Sequence, residues 1–559
     1  MCLAEALRTP RRLDLGGMNR YSGLVPTNRD EPFSTERDLQ TWESLNPATG
    51  EVLGRFEAED ASAVRAHVGR ARQALADWRK RPIGERVRLV KRLRDELAAS
   101  GNDLARVVSS EIGKPWVESL SAEIVLTLDG LDYLVANAAK VLAPVHVRGG
   151  FNAKAMGFRR AVIHREPVGV VGILGTWNYP VLLNCIQAAT ALVAGNTVVL
   201  KPSERATVVA ERMTEVFRAA GFGEGLFEVA LGGPETGQAL AEADCDKYVL
   251  TGGLDAGRAV LETLVERIKP AVLELSGQDA AVVCADADVA AAARTLTWGA
   301  FTNCGQTCVA VRRIYYDKAI EESFVPAMLD AVRGIRLGDP LDAETDVGPL
   351  CMPELVERAE RLIRQAQSEG AKVLVGGERV ELGSGNYFAP TVLTGIDERS
   401  DYFKEELFGP LTVLCPVESA AEGIARANRS RYGLGASVWT RDVRAGERLG
   451  RELEAGIVSI NSVITPVGDC RLPFGGFKES GYGRTHGASG LLEMTAERVV
   501  ARYQTPAAGR GNSYPYSKAM EGVLQAVLGL RTAAGVTGKV KALGRLLGAV
   551  GSLVFGGKD

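Results

Sequence analysis

Short runs of β-branched and apolar residues, each bounded by a helix-length segment, constrain this chain more than any other feature. Between residues 162 and 259 the runs at 168–174, 197–200, 227–229 and 248–250 recur in this way. Continuous apolar strands separated by helices are the signature of βαβ units, whose parallel strands are covered on both faces. A second alternating stretch extends from 280 to 440, with strands at 281–283, 313–316 and 372–375. The pattern predicts an α/β protein of two doubly wound parallel-sheet domains in series. Upstream, Val64, His67, Val68, Ala71, Ala74, Leu75 and Trp78 recur at helix spacing. Pro82 and Gly84 break that pattern, and Val87, Leu89, Val90, Leu93 and Leu97 resume it.

Composition excludes several classes of function. A chain of 559 residues exceeds one ordinary core and supports two or more domains. Lys and Arg total 66 against 69 Asp and Glu, a net charge of −3, so no whole-molecule field attracts nucleic acid. The four histidines, His67, His146, His164 and His486, are far apart, and no metal site is expected. Nine cysteines with no CxxC pair read as reduced thiols in a cytosol-like, cytoplasmic compartment. Arg8, Arg11 and Arg12 precede no apolar stretch, which argues against a secretory leader. Residues 1–41 are polar and read as an extension.

Five segments could carry chemistry. Cys308 follows Cys304-Gly305-Gln306-Thr307; a thiol in a Gly-rich approach can serve as a nucleophile, although an inert buried cysteine fits the same residues. A helical metal pair with Cys304 would lack further ligands. Glu274, between Leu273 and Leu275, is a general base if buried and a bystander if it points to solvent. Asn178, in Trp177-Asn178-Tyr179-Pro180, offers a neutral amide to an oxyanion, or simply makes a turn. Lys201-Pro202-Ser203-Glu204 follows a strand, where ribose hydroxyls bind in open parallel sheets. Gly252, Gly253 and Gly257 mark a strand-to-helix turn suited to a pyrophosphate, without the GxGxxG fingerprint.

In this order and spacing the segments resemble the NAD(P)-dependent aldehyde dehydrogenase superfamily. The resemblance begins at Asn46-Pro47-Ala48-Thr49-Gly50 and continues through Glu406-Leu407-Phe408-Gly409-Pro410, Asn461 and Leu472-Pro473-Phe474-Gly475-Gly476, covering residues 42–505. It implies a Rossmann-like cofactor domain at 42–275 with a bridging segment at 145–165. A catalytic domain at 276–480 and a small β element for bridging and oligomerisation at 481–505 would follow. It further implies Cys308 as nucleophile, Asn178 in the oxyanion site and Glu274 as the base that activates water. Lys201, Ser203, Glu204, Gly252, Gly253, Gly257, Trp177, Glu406 and Phe408 would hold the cofactor. A carboxylate at 204 disfavours a 2′-phosphate, so NAD is expected, with NADP as the alternative. The implied reaction is oxidation of an aldehyde to its acid by a homodimer or homotetramer. A coenzyme A-acylating enzyme and a non-catalytic NAD-binding protein are the competing readings.

Three departures accompany the resemblance: Gly253 where Ser is usual, Ser276 for the first Gly of ELGG, and Gln278 for Lys. Trp177-Asn178-Tyr179-Pro180, Tyr514-Pro515-Tyr516 and the His486-Gly487 step are similar to the class 3 and fatty-aldehyde branch, which implies a hydrophobic medium- or long-chain aldehyde. Residues 506–559 read as an amphipathic helical tail. Met520, Val523, Leu524, Val527 and Leu528 form a stripe, and between residues 518 and 545 Lys518, Arg531, Lys539, Lys541 and Arg545 oppose one acid, Glu521. The run 546–555 is too short to span a bilayer but can lie at its interface, so the tail is expected either to touch a membrane surface or to cap the substrate funnel or the dimer.

Overall fold

A computed structural model describes residues 40–149, 158–503 and 518–555. Most of the N-terminal extension and the Tyr514-Pro515-Tyr516 step lie outside the described residues. The chain is an α/β protein built on two large sheets. In the first, six strands lie in the order Gly481–Tyr482, Ala271–Glu274, Lys247–Thr251, Val170–Leu174, Thr197–Lys201 and Phe227–Val229. All pair in parallel except the edge strand Gly481–Tyr482, which runs antiparallel to Ala271–Glu274 and sets Gly481 opposite Glu274.

The continuous apolar runs are explained by burial on both faces. Val171, Ile173, Val198, Leu200 and Val249 enter one core, whereas Val170, Val199, Tyr248, Leu250 and Leu273 enter the other. Helix Ala61–Trp78 begins at Asp60, whose carboxylate accepts from Ala63 N at 2.8 Å, and covers one of these faces. The helix after Pro82 is longer than its apolar spacing suggested: it runs over Ile83–Ile112 and stops at Gly113, in the left-handed conformation at φ 83°.

The second sheet has seven strands in the order Lys372–Val375, Thr391–Thr394, Leu411–Val417, Val311–Asp317, Asp279–Val283, Gly435–Trp439 and Ile457–Ile460. Only Lys372–Val375 is antiparallel to its neighbour. Val145–Val147, Phe158–Pro167 and Thr495–Tyr503 form a separate antiparallel sheet. Near the C-terminus, helices Lys518–Thr532 and Gly535–Phe555 pack against each other. No helix among the described residues is long and apolar enough to cross a membrane.

The two large sheets present opposite strand ends to one cavity. The six-stranded sheet offers the C-terminal ends at Thr251 and Glu274 and the segment that follows Leu174. The seven-stranded sheet offers the N-terminal approaches to its strands, with Cys308 before Val311, Glu406 and Phe408 before Leu411, and Leu434 before Gly435.

Candidate active site

The cavity is lined by groups from both sheets. Trp177, Asn178, Gly252, Gly253, Glu274, Cys308, Glu406 and Phe408, all singled out in the sequence, meet there. Lys201, Ser203, Glu204 and Gly257 are not part of its wall. Lys201 ends the neighbouring strand, and its ammonium lies 3.3 Å from Glu204 Oε2. The Ser203 hydroxyl accepts from Arg205 N at 3.3 Å and so starts the turn Glu204–Ala206. Gly257 sits in the first turn of helix Leu254–Arg267, where a Cβ would stand 2.8 Å from Leu275; its role in the fold is close packing.

Glu274 is buried at 4% exposure and does not point to solvent. Its Oε1 accepts from the Thr485 hydroxyl at 3.3 Å, while Oε2 has no partner. Burial pushes the carboxyl well above the usual carboxylate range, and the Thr485 hydrogen bond and Arg484 oppose that only in part. The Cys308 thiol is likewise pushed up by burial, with Asp279, Glu274 and Glu406 adding to the effect and the Val309 N–H opposing it.

The Cys308 approach is held tightly. Asn303 and Cys304 are left-handed at φ 51° and 53°, and Asn303 Nδ2 donates to the carbonyls of Asn178 and Gln306 at 3.2 Å each. Asn178 Nδ2 donates to Gln306 O at 2.9 Å, and its Oδ1 accepts from Thr176 at 2.8 Å. One amide N–H of Asn178 remains for another acceptor. Gly277 is required by contact: a Cβ there would overlap the Cys308 carbonyl oxygen. Gln278 donates to Tyr402 O at 2.8 Å and also to Glu405 O, tying the sheet to the segment that carries Glu406. The rings of Trp177 and Phe408 meet edge to face at 5.6 Å.

The arrangement suits a nicotinamide dinucleotide. Added side chains at Gly252 and Gly253 would meet only Leu250 and Glu406, at 3.8 and 3.6 Å, so the turn is open. No side chain caps the following 14-residue helix, whose free N–H groups suit a pyrophosphate.

Comparison with known proteins decides the family. The aldehyde dehydrogenase family model matches residues 33–500. The chain belongs to the aldehyde dehydrogenase family. A 4,4′-diapolycopene aldehyde oxidase from a Methylomonas species is 34% identical over 86% of this chain and 89% of its own. A Mycolicibacterium smegmatis protein, named provisionally as an NADP+-dependent succinate-semialdehyde dehydrogenase, is 34% identical over 81% of this chain and 87% of its own. The solved Mycobacterium tuberculosis aldehyde dehydrogenase complexed with NAD+ superposes with a TM-score of 0.78 at 33% identity, over 84% of this chain and 95% of that one. None of these three names points to the class 3 branch that the sequence motifs suggested.

Sequence reading missed Thr485, which touches Glu274, and two buried carboxylates: Glu118, which accepts from Asn303 N, and Glu123, which accepts from Val181 N and Leu182 N. It also missed Met352, Leu355 and Arg358, contributed by or just before helix Pro353–Ser368. None of these carries a local motif; only the fold brings them to the site.

Proposed function

We propose that this chain oxidises an aldehyde to its carboxylic acid with NAD, through a covalent adduct on Cys308 and without coenzyme A. One observation carries the reading: the buried, unpartnered Glu274 Oε2 shares a cavity with the Cys308 thiol and the Asn178 amide. Cys308 adds to the aldehyde carbon, and the resulting oxyanion is held by the Asn178 amide and the Cys308 backbone N–H. Bound NAD supplies the hydride acceptor that takes the adduct to a thioester. Glu274 then removes a proton from water, which displaces the sulfur and releases the acid. Coenzyme A chemistry would leave this carboxyl without a task.

Glu406 and Phe408 would hold the nicotinamide ribose and ring, Gly252 and Gly253 with Trp177 the middle of the cofactor, and Lys201, Ser203 and Glu204 the adenosine ribose. The Glu204 carboxylate favours NAD over NADP. The wall around Cys308 includes Trp177, Leu183, Met352, Leu355, Leu434 and Phe474, and Arg358 is paired with Glu405 at 3.3 Å. Apolar walls and an engaged cation support a hydrophobic medium- or long-chain aldehyde over a short semialdehyde. The His486-Gly487 step supports placement beside the class 3 branch.

The same reading makes residues 42–275 the cofactor domain and 276–480 the catalytic domain. The separate three-stranded sheet, with Val145, Val147, Val499, Val500 and Tyr503 exposed, would join copies in a homodimer or homotetramer. The C-terminal hairpin would rest on a membrane surface in a cytoplasmic setting.

Rapid mixing with a long-chain aldehyde, followed by absorbance of the reduced cofactor, tests the chemistry. Cys308→Ala should lose turnover far beyond tenfold, which is about 1.4 kcal/mol of barrier, yet still bind NAD by calorimetry. Glu274→Gln should give one burst of reduced cofactor and then stall as the thioester. Steady turnover of Glu274→Gln at the parent rate would refute its role as base.

A further inference from the structure

We infer that Thr485 is the positioning residue of Glu274, holding Oε1 through a hydroxyl that can turn between two acceptors. This rests on the reading of Glu274 as the base for thioester hydrolysis. The geometry is compact. Thr485 Oγ1 lies 3.3 Å from Glu274 Oε1 and 3.4 Å from the Phe474 carbonyl oxygen. Its backbone is locked by reciprocal N–H to C=O bonds with Phe474, both 2.8 Å. Glu274 is fixed from its own side: its strand pairs with Gly481, and its carbonyl accepts from Gly252 N at 3.0 Å. Both side chains are buried, at 4% exposure each. The backbones cannot move to suit a change in charge, so the hydroxyl must.

A hydroxyl has one hydrogen and two lone pairs. When Glu274 is ionised, the Thr485 hydrogen points at Oε1 and satisfies it. When Oε1 carries a proton, the carboxyl donates to Oγ1, and the Thr485 hydrogen turns to the Phe474 carbonyl. Both states are satisfied without backbone movement, which matters because an orphaned buried oxygen is costly. Oε2, the oxygen without a partner, is left to face the reacting water. In thioester hydrolysis the water oxygen bonds to the acyl carbon as Oε2 takes one water proton. The C–S bond breaks, and the sulfur leaves as thiolate, to be reprotonated by the proton Glu274 took. Other charges facing the pair are Arg484, on the same segment as Thr485, and Cys308 across the cavity, itself faced by Asp279 and Glu406.

The test compares Thr485→Val, Thr485→Ser and Glu274→Gln with the parent. Acyl transfer is read from p-nitrophenyl acetate without cofactor, and from a long-chain aldehyde with NAD. Thr485→Val should acylate at the parent rate, as read by the burst, and then release product about tenfold more slowly, the scale of one hydrogen bond to a charged group. Acyl-enzyme should accumulate in the intact-protein mass. Losing a donor to the carboxylate also moves the acid limb of the steady rate to higher pH. Thr485→Ser, which keeps the hydroxyl, should restore both rate and limb. Parent-like release and an unshifted limb in Thr485→Val, while Glu274→Gln stalls, would overturn this inference alone. Slow release with no shift and no rescue by serine would reduce Thr485 to packing and overturn it too. If Glu274→Gln itself turns over steadily, the general-base reading fails first.

Discussion

Glu118, the residue just before the π-helical stretch Ser119–Val125, and Glu123, five residues on and inside it, hold the segment that leads to Cys308 and the segment that follows Asn178. Glu118 accepts from the Thr302 hydroxyl and the Asn303 N–H, both at 2.7 Å, and so fixes the left-handed turn before Cys308. Glu123 pairs with the fully buried Lys114, and its Oε2 accepts from Val181 N at 3.0 Å and Leu182 N at 2.9 Å. It thereby caps the helix that follows Asn178. The Lys114 ammonium also lies 3.6 Å from the centre of the Tyr179 ring.

The two carboxylates should therefore fail differently. Glu123→Gln leaves a buried ammonium without its counter-charge and is expected to destabilise the fold by about 3 kcal/mol, as read by denaturant unfolding. Glu118→Gln keeps the core but offers Asn303 an amide in place of a carboxylate oxygen. It should lower kcat by about tenfold, the scale expected when a reacting group is slightly misplaced, with little change in unfolding. A reversal of these two phenotypes would dismiss this division of labour.

Two glycines give a second contrast. Gly277→Ala places a Cβ against the Cys308 carbonyl and must displace the loop that carries Cys308; a loss of more than tenfold in kcat is expected. Gly253→Ser finds open space, its Cβ no closer than 3.6 Å to Glu406 Oε2, and should change the unfolding midpoint little. Cofactor affinity by calorimetry then reads what a hydroxyl at that turn adds.

His67, which does not line the cavity, predicts a pH dependence of stability. It lies 2.6 Å from both Glu59 and Glu228, with Arg70 also on Glu228. Burial opposes its charge, but the hydrogen bonds to Glu228 and Glu59 outweigh that and raise it to about 9. For Glu228, burial is outweighed by His67 and Arg70, and it falls to about 2. A raised histidine stabilises the fold fully below its unfolded value of 6.5 and loses that contribution as pH rises through about 9. The depressed Glu228 contributes above 4.5 and loses its effect as pH falls towards 2. Melting temperature should therefore decline between pH 6.5 and 9 in the parent and decline less in His67→Gln. The difference is expected to be on the order of 1 kcal/mol for a half-buried, screened cluster. Identical slopes in the two proteins would exclude the cluster as the source.

The parallel sheets were legible because their strands are buried on both faces, which leaves unbroken apolar runs such as Val170-Val171 and Val198-Val199-Leu200 in the sequence. Cys308, Glu274 and Asn178, which the structure brings to one cavity, could be singled out because each stands in a distinctive local segment. Thr485 was not: it reaches Glu274 only because residues 481–482 return as an antiparallel edge strand. Glu118 and Glu123 were not, because their spacing becomes meaningful only within a π-helical stretch. The second helix outruns the apolar spacing read up to Leu97 because burial against helix Thr207–Ala220 and its neighbours continues it to Ile112.

The C-terminal hairpin carries the last prediction. Ala542 and Leu546 are buried, while Val536, Val540, Leu543, Leu547 and Val550 form an exposed stripe at helix spacing, joined by Leu524 and Leu528 on the partner helix. Five cations, Lys518, Arg531, Lys539, Lys541 and Arg545, oppose only Glu521 along residues 518–555, a net charge of +4. An apolar stripe with basic flanks suits the interface of an anionic bilayer, where each cation near the surface contributes about 1 kcal/mol. Full-length protein should co-sediment with vesicles containing phosphatidylserine and lose binding as salt rises; protein ending at residue 505 should remain in the supernatant. If the hairpin also guides substrate, truncation should lower kcat/KM for aldehydes of about ten carbons or more, at about 0.8 kcal/mol per methylene no longer covered, and spare acetaldehyde. Equal losses at every chain length would instead give the hairpin a part in folding or assembly, and absence of vesicle binding by the full-length chain would remove the membrane role.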